Sequence, residues 1–436
     1  MVTLACAPLY TSGWALDLSQ AYKAAMAQDA SLRVARAATA ARSERIPQTR
    51  AQMLPNLSAS ASRNRNALDN TEPFLGTPVS TSRNYNSSSM ALTLRQPLFR
   101  KYQMADYRQA QAQLEDANGI LEREIQNVGV RVSGAYFEAL LTGDQLALAM
   151  AQKIAYTSKL DAAKKRFAAG AGTRTDVDEA QAAVDLNAAH ELEARQSVDF
   201  TRRKLQTLVN HPIDFLATLD ASKLVLVPPV PNRLEDWIER AEAGSPEIRS
   251  LKAQIDAARL EVDKAEAGHY PTLDAVAQVS HNERDTVTSV NTRYTSKSIG
   301  LQLNVPLFSG GYVNATVRQA LADQERAEQA LEALRRDLGV RVHKEFRSVT
   351  EGVLYVRALE QAVRSTEQVM LSNRRSFEAG SRTLNDTLNA DQQMVSAQGD
   401  LAQARYAYLI SRVRLQALAG APPGEVIDEI NAWLKP

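Results

Sequence analysis

One cysteine, Cys6, is the whole thiol inventory of the 436 residues, so neither a disulfide framework within the chain nor a multi-thiolate metal site can form. Five scattered histidines leave little material for a metal or acid–base site, and no cofactor is expected. Charge surplus is missing as well. Lys and Arg number 51 against 50 Asp and Glu, which removes the electrostatic reason for a nucleic-acid partner. No run of 18 consecutive apolar residues occurs, so no membrane-spanning helix is expected. The signatures GxxxxGK[ST], HExxH, CxxC and GxSxG are absent, and the acidic group Asp176, Asp178 and Glu179 reads as first-turn charge on a helix. The chain is not expected to be an enzyme.

Proline is missing from two long stretches, between Pro97 and Pro212 and between Pro306 and Pro422. Both are rich in Ala, Leu, Gln, Glu and Arg, which favour helix. In the first, Leu121, Ile125, Val128, Val132, Ala135, Ala139 and Leu146 form a 4-3-4-3 seam, interrupted at Thr142. A helix over about 104–165 would be roughly 90 Å long, too long for a compact globular domain. The start of the chain differs. Residues 1–15, MVTLACAPLYTSGWA, carry no charge and read as the later part of an export signal, with Gly13-Trp14-Ala15 as a small-x-small cleavage site. A lipobox at Leu4-Ala5-Cys6 is the weaker reading, because few residues precede the cysteine.

Short alternating segments precede each helical stretch. SMALTL at 89–94 and SIGLQLNV at 298–305 place apolar residues on one face, as do LSASAS after Pro55 and TLDAVAQVS after Pro271. Polar segments, roughly 63–87 and 281–297, separate the members of each pair, so two hairpins with long polar tips are predicted. Ser31-Leu32-Arg33 and Leu54-Pro55-Asn56-Leu57 recur as Glu247-Ile248-Arg249 and Tyr270-Pro271-Thr272-Leu273, 216 residues on. Pro97-Leu98-Phe99 and Gly129-Val130-Arg131-Val132 recur as Pro306-Leu307-Phe308 and Gly339-Val340-Arg341-Val342. The expected organisation is a tandem duplication of helix–strand–strand–long helix–turn–helix, residues 16–232 and 233–421, after the export remnant at 1–15 and before a tail at 422–436.

A second repeated pair is more informative about function. RFAAGAGTRTDVDEA at 166–180 and SFEAGSRTLNDTLNA at 376–390 each place Phe, Gly, Thr and Asp at three-residue intervals. Gly170, Gly172 and Gly380 are predicted to end helices and reverse the chain, with Thr173 or Thr175, and Thr383, as N-caps of the returning helices. Four strands with one apolar face would leave unpaired edges in lipid, and bacterial barrels begin at about eight strands, so one chain cannot close a barrel alone.

The duplicated architecture, the twin PLF motifs and the two turn motifs resemble the TolC family of outer-membrane channels, over Leu16 to about Gly420. The resemblance implies a mainly α fold with a membrane β-barrel. In it, long antiparallel helices form a periplasmic tunnel, and four strands per chain enter a shared twelve-stranded barrel in a homotrimer. The implied function is the exit duct of a tripartite efflux or type I secretion system. The implied partners are a periplasmic adaptor (membrane fusion) protein, an inner-membrane transporter and outer-membrane lipid. By the same resemblance Thr175, Asp176 and Arg382 form a periplasmic gate, and Asp386 belongs to an acidic ring at the entrance. Gly170, Ala171, Gly380 and Ser381 lie at the adaptor-docking tips. Asn389 stands where the family has a second aspartate, which predicts weaker cation block, and Phe377 replaces a tyrosine of some relatives. The competing expectation is a soluble periplasmic coiled-coil adaptor or scaffold, which would leave the alternating strands unexplained. Drugs, small metabolites and a secreted protein all remain open as cargo.

Overall fold

The computed structural model describes residues 15–74, 76–284 and 292–435. The export-signal reading and Cys6 therefore lie outside the described residues, apart from Ala15. Three helices, α1 (Leu18–Gln28), α2 (Ala30–Ser43) and α3 (Arg45–Ala51), lead into strands β1 (Asn56–Phe74) and β2 (Thr77–Phe99). Helix α4 (Lys101–Ala168) and helix α5 (Arg174–Val209) follow, then a short strand β3 (Thr218–Leu219). The order then recurs as α6 (Leu234–Gly244), α7 (Pro246–Glu266), β4 (Thr272–Arg284), β5 (Thr292–Asn304), α8 (Tyr312–Glu378) and α9 (Leu384–Leu418). Helix α10 (Pro423–Asn431) and strand β6 (Leu434–Lys435) complete the described chain. At 68 and 67 residues, α4 and α8 are each about 100 Å long.

The chain forms two compact units, one from the chain through Ala37, Gly119–Ile248 and Glu332 onward, the other from Ala38–Asn118 and Arg249–Leu331. In the first unit the α4 seam is buried at Val128, Val132, Ala135 and Ala139. Thr142, which interrupts the seam in sequence, is buried too, because its hydroxyl bonds Thr201 Oγ1 at 2.8 Å. A satisfied hydroxyl costs little to bury, so the seam continues through it. Trp237, Tyr136, Tyr408 and Leu205 are fully buried in the same unit. The Tyr136 hydroxyl donates toward Ala217 O at 2.8 Å and Leu16 O at 3.0 Å, which anchors the start of the described chain. The residues after Pro422 pack inward: Ile427 and Ile430 are fully buried, and β6 pairs antiparallel with β3.

The second unit holds an antiparallel sheet in the order β1-β2-β4-β5, with β1 and β5 at its edges. Register places Leu57 opposite Leu94, Leu94 opposite Ala277, and Ala277 opposite Ile299, so one face is apolar across all four strands. The neighbouring row, Ser58, Thr93, Gln278 and Ser298, gives a polar opposite face. One expectation is corrected. Residues 63–87 are not a loop-like tip, because the β1–β2 ladder runs on to Phe74 opposite Thr77. The alternation rule found no apolar face there because Asn, Ser, Thr and Arg predominate on both faces and the few apolar residues do not alternate, whereas ladder bonds come from the backbone. Side chains add to it, as in Asn66 Nδ2 to Ser87 Oγ at 3.0 Å and Thr71 to Ser80 at 2.8 Å.

Candidate gate at the helical turns

Both long helices end in the same way. After α4, Gly170 takes φ +72°, its N–H bonds Phe167 O at 3.0 Å, and the Ala171 N–H bonds Arg166 O at 2.9 Å. After α8, Gly380 takes φ +79°, bonding Phe377 O at 3.0 Å, while the Ser381 N–H bonds Ser376 O at 2.9 Å. These are Schellman closures, which satisfy the last carbonyls of a helix and require a left-handed residue. All four tip residues are exposed.

The repeated aspartate closes the start of the next helix. Thr173 Oγ1 accepts the Asp176 N–H at 3.1 Å, and Asp176 Oδ2 accepts the Thr173 N–H at 3.0 Å. Thr383 and Asp386 make the same reciprocal pair at 3.2 and 3.0 Å. Each Thr-x-x-Asp is a capping box with aspartate in the acidic position, which accounts for the repeated spacing in local terms. Of the two threonines in TRTD, Thr173 is the cap, and Thr175 lies exposed in the first turn. At Asp386 the Thr383 N–H holds the carboxyl below its usual range, with the Thr383 hydroxyl and the Arg382 charge adding to the effect.

Within one chain Arg382 meets Asp386 at 3.7 Å, an exposed i,i+4 pair, whereas Asp176 is engaged by Thr173. The structure thus brings Arg382 and Asp386 together within one chain and places Asp176 with Thr173. Asn389 donates to Asn385 Oδ1 at 3.1 Å, and Phe377 lies beneath the Arg166 guanidinium at 4.7 Å.

Cross-helix ties add residues that the sequence reading missed. Lys159 Nζ, on α4, reaches Asp391 Oδ2 at 2.7 Å and Thr387 O at 3.2 Å on α9. Gln152 Nε2 donates to Gln392 Oε1 at 2.8 Å, while Tyr156, Leu160, Ala180, Leu384 and Leu388 form an apolar cluster. A cavity of about 610 Å³ remains beside this cluster, with Lys159, Arg166, Asp176, Phe377 and Asp391 among its walls. No local pattern marks Lys159 or Gln152, since their partners lie more than two hundred residues away.

Residues 21–211 and 237–421 match the family described as outer membrane efflux protein. The chain belongs to that family. It is 35% identical to the alkaline protease secretion protein AprF of Pseudomonas aeruginosa, an alignment covering 88% of this chain and 79% of the relative. It is 28% identical to the outer membrane protein TolC of Vibrio cholerae, over 100% of this chain and 97% of that protein. Among solved structures, CusC superposes with a TM-score of 0.79 at 16% identity, covering 95% of this chain and 96% of CusC. The TolC-like fold expected from the turn motifs and twin PLF segments is thereby shown, and a transport family rather than an enzyme class is what matches.

Proposed function

We propose that three copies of this outer membrane efflux protein close one barrel of twelve strands, with their long helices forming a periplasmic tunnel. The assembly would serve as the exit duct of a tripartite efflux or type I secretion system. The observation that carries the reading is the open sheet: β1 and β5 are edges, and the face bearing Leu57 and Ile299 is uncovered, with Ile299 87% exposed. In lipid every backbone group needs a partner, and only closure by further chains supplies one. The family match weighs against the soluble scaffold. Chain organisation is read as two copies, 16–232 and 233–421, with 422–436 as a tail, a division supported by the family matching twice.

Arg382 is proposed to hold the closed gate against Thr175 and Asp176 of a neighbouring copy, since among the described residues of its own chain its ion pair is with Asp386. Asp386 is proposed to form a three-carboxylate entrance ring, with Asn389 weakening multivalent block. The small exposed tips at Gly170, Ala171, Gly380 and Ser381 are proposed as the docking points of a periplasmic adaptor, itself bound to an inner-membrane transporter. AprF is named for alkaline protease secretion, which favours a protein cargo here.

Light scattering on detergent-extracted protein tests the assembly. Three chains of 47.8 kDa make about 143 kDa, and a detergent-free soluble monomer would overturn the proposal. In planar bilayers Arg382→Ala is expected to raise conductance severalfold, and Asp386→Ala to lower cation preference. Unchanged currents in both variants remove the gate assignment and leave the fold standing. Acid gives a further readout. Because the Asp386 carboxyl is held low, it stays ionised below the usual carboxylate range, and cation preference should be flat from pH 7 to about pH 5. The capping box follows the same sign: its stabilisation is present above the unfolded-state pKa and is lost as pH falls through the folded one. Loss of cation preference already at about pH 6 would contradict this assignment.

A further inference from the structure

A second cavity, of about 430 Å³, lies in the first unit where α4, α8, the end of α9 and the start of α7 converge. Its charged walls are Arg123 on α4, Arg341 and Lys344 on α8, and Arg414 on α9, facing the carboxylates Glu247 and Glu345. Both carboxylates are already engaged. Glu247 Oε2 stands 2.6 Å from Arg341, and the nearly buried Glu345 is 4.0 Å from Arg414. Arg123 and Lys344 have no ionic partner among the described residues.

With two cations unpaired, the walls of the cleft carry a net positive charge. Some exposed arginines pair along their own helices, as in Arg174–Asp178, Arg326–Asp323, Arg336–Glu332 and Arg374–Glu378. No acid stands three or four residues from Arg123, Lys344 or Arg414, so no partner on the same helix is available. Arg123 and Lys344 line one cleft without a counter-charge of their own, and an anion bound between them would lower their mutual repulsion. Val130, Leu338 and Leu418 add an apolar wall to the same cavity.

We propose that this cleft binds an organic phosphate. Arg123 and Lys344 would take the phosphate oxygens, Arg341 and Arg414 would stay with Glu247, Asp337 and Glu345, and the organic part would lie on the apolar wall. Arginine and lysine forks and point charges are the groups that suit a multiply charged oxyanion. The cleft is larger than a bare phosphate, which argues for a bearer with a body of its own. The proposal is independent of the gate and of the assembly.

The test uses the full chain purified in detergent, titrated calorimetrically with inorganic pyrophosphate, glycerol phosphate and short-chain phosphatidylglycerol, against sodium chloride of equal ionic strength. Saturable binding is expected, weakened at least tenfold in the double variant Arg123→Gln/Lys344→Gln and retained in Lys344→Arg. The control Arg326→Gln should bind as the parent does. Preference for glycerol phosphate would identify a soluble ligand, and preference for the lipid a headgroup. Should the double variant fail to fold, the single variants Arg123→Lys and Lys344→Gln carry the comparison. Heats that do not exceed those of salt would overturn the proposal, as would equal binding by parent and variants.

Discussion

Replacing Arg100 with alanine is expected to lower the unfolding free energy by about 3–5 kcal/mol, the range for stripping one partner from a buried ion pair. Arg100 Nε stands 2.9 Å from Asp274 Oδ1, and its Nη2 meets Oδ2 at 2.5 Å, a bidentate clasp. Asp274, at the start of β4, is only 5% exposed, and its other cation, Arg95, is 4.0 Å away and half exposed. Without Arg100 the carboxylate stays buried with little compensation. Asp274→Ala should cost less, about 1–3 kcal/mol, because Arg100 is a quarter exposed and can turn toward water. Denaturant unfolding of the detergent-solubilised protein checks both. A loss under about 1 kcal/mol for Arg100→Ala would show that the clasp does not hold the joint between β4 and α4. The second half of the chain has no counterpart, since Ser309-Gly310-Gly311 follows its PLF motif.

Gly420→Ala is the second large effect, about 2–4 kcal/mol. Gly420 takes φ +78° as α9 closes, and an added Cβ would stand 2.4 Å from Gly244 O and 2.8 Å from Gly244 Cα. Two penalties combine there, the left-handed backbone and a collision with main chain that has no rotamer to escape into. Gly380→Ala isolates the first penalty. Its angle is nearly the same, yet nothing lies within 4 Å of the added atom, so about 1 kcal/mol is expected. Equal losses at the two positions, read from the same denaturant curves, would mean that the close approach to Gly244 is not rigid.

Where the residues carried periodicity or repetition, reading the sequence succeeded. The Pro-free stretches became α4 with α5 and α8 with α9, and the PLF motifs mark the end of the second strand of each hairpin, the first as the last residues of β2 and the second just after β5. The alternating segments formed the apolar row from Leu57 to Ile299. It failed where polarity hid a strand, at 63–87, because the pairing there depends on the opposite strand and not on a buried face. Capping was half legible: TRTD offered two threonines, and only the chain geometry after Gly170 selected Thr173.

The sequence by itself determined the element types, the channel family and the turn chemistry, all of which follow from spacings within a few residues or from one chain segment resembling another. Tertiary structure alone decided which charges meet. Lys159 with Asp391, Arg100 with Asp274 and Arg341 with Glu247 each join residues separated by 94 or more positions. It likewise decided that Arg123 and Lys344 line one cleft with no ionic partner among the described residues. Ionic contacts act over a few ångströms between side chains brought together by folding, and neither composition nor periodicity records that distance.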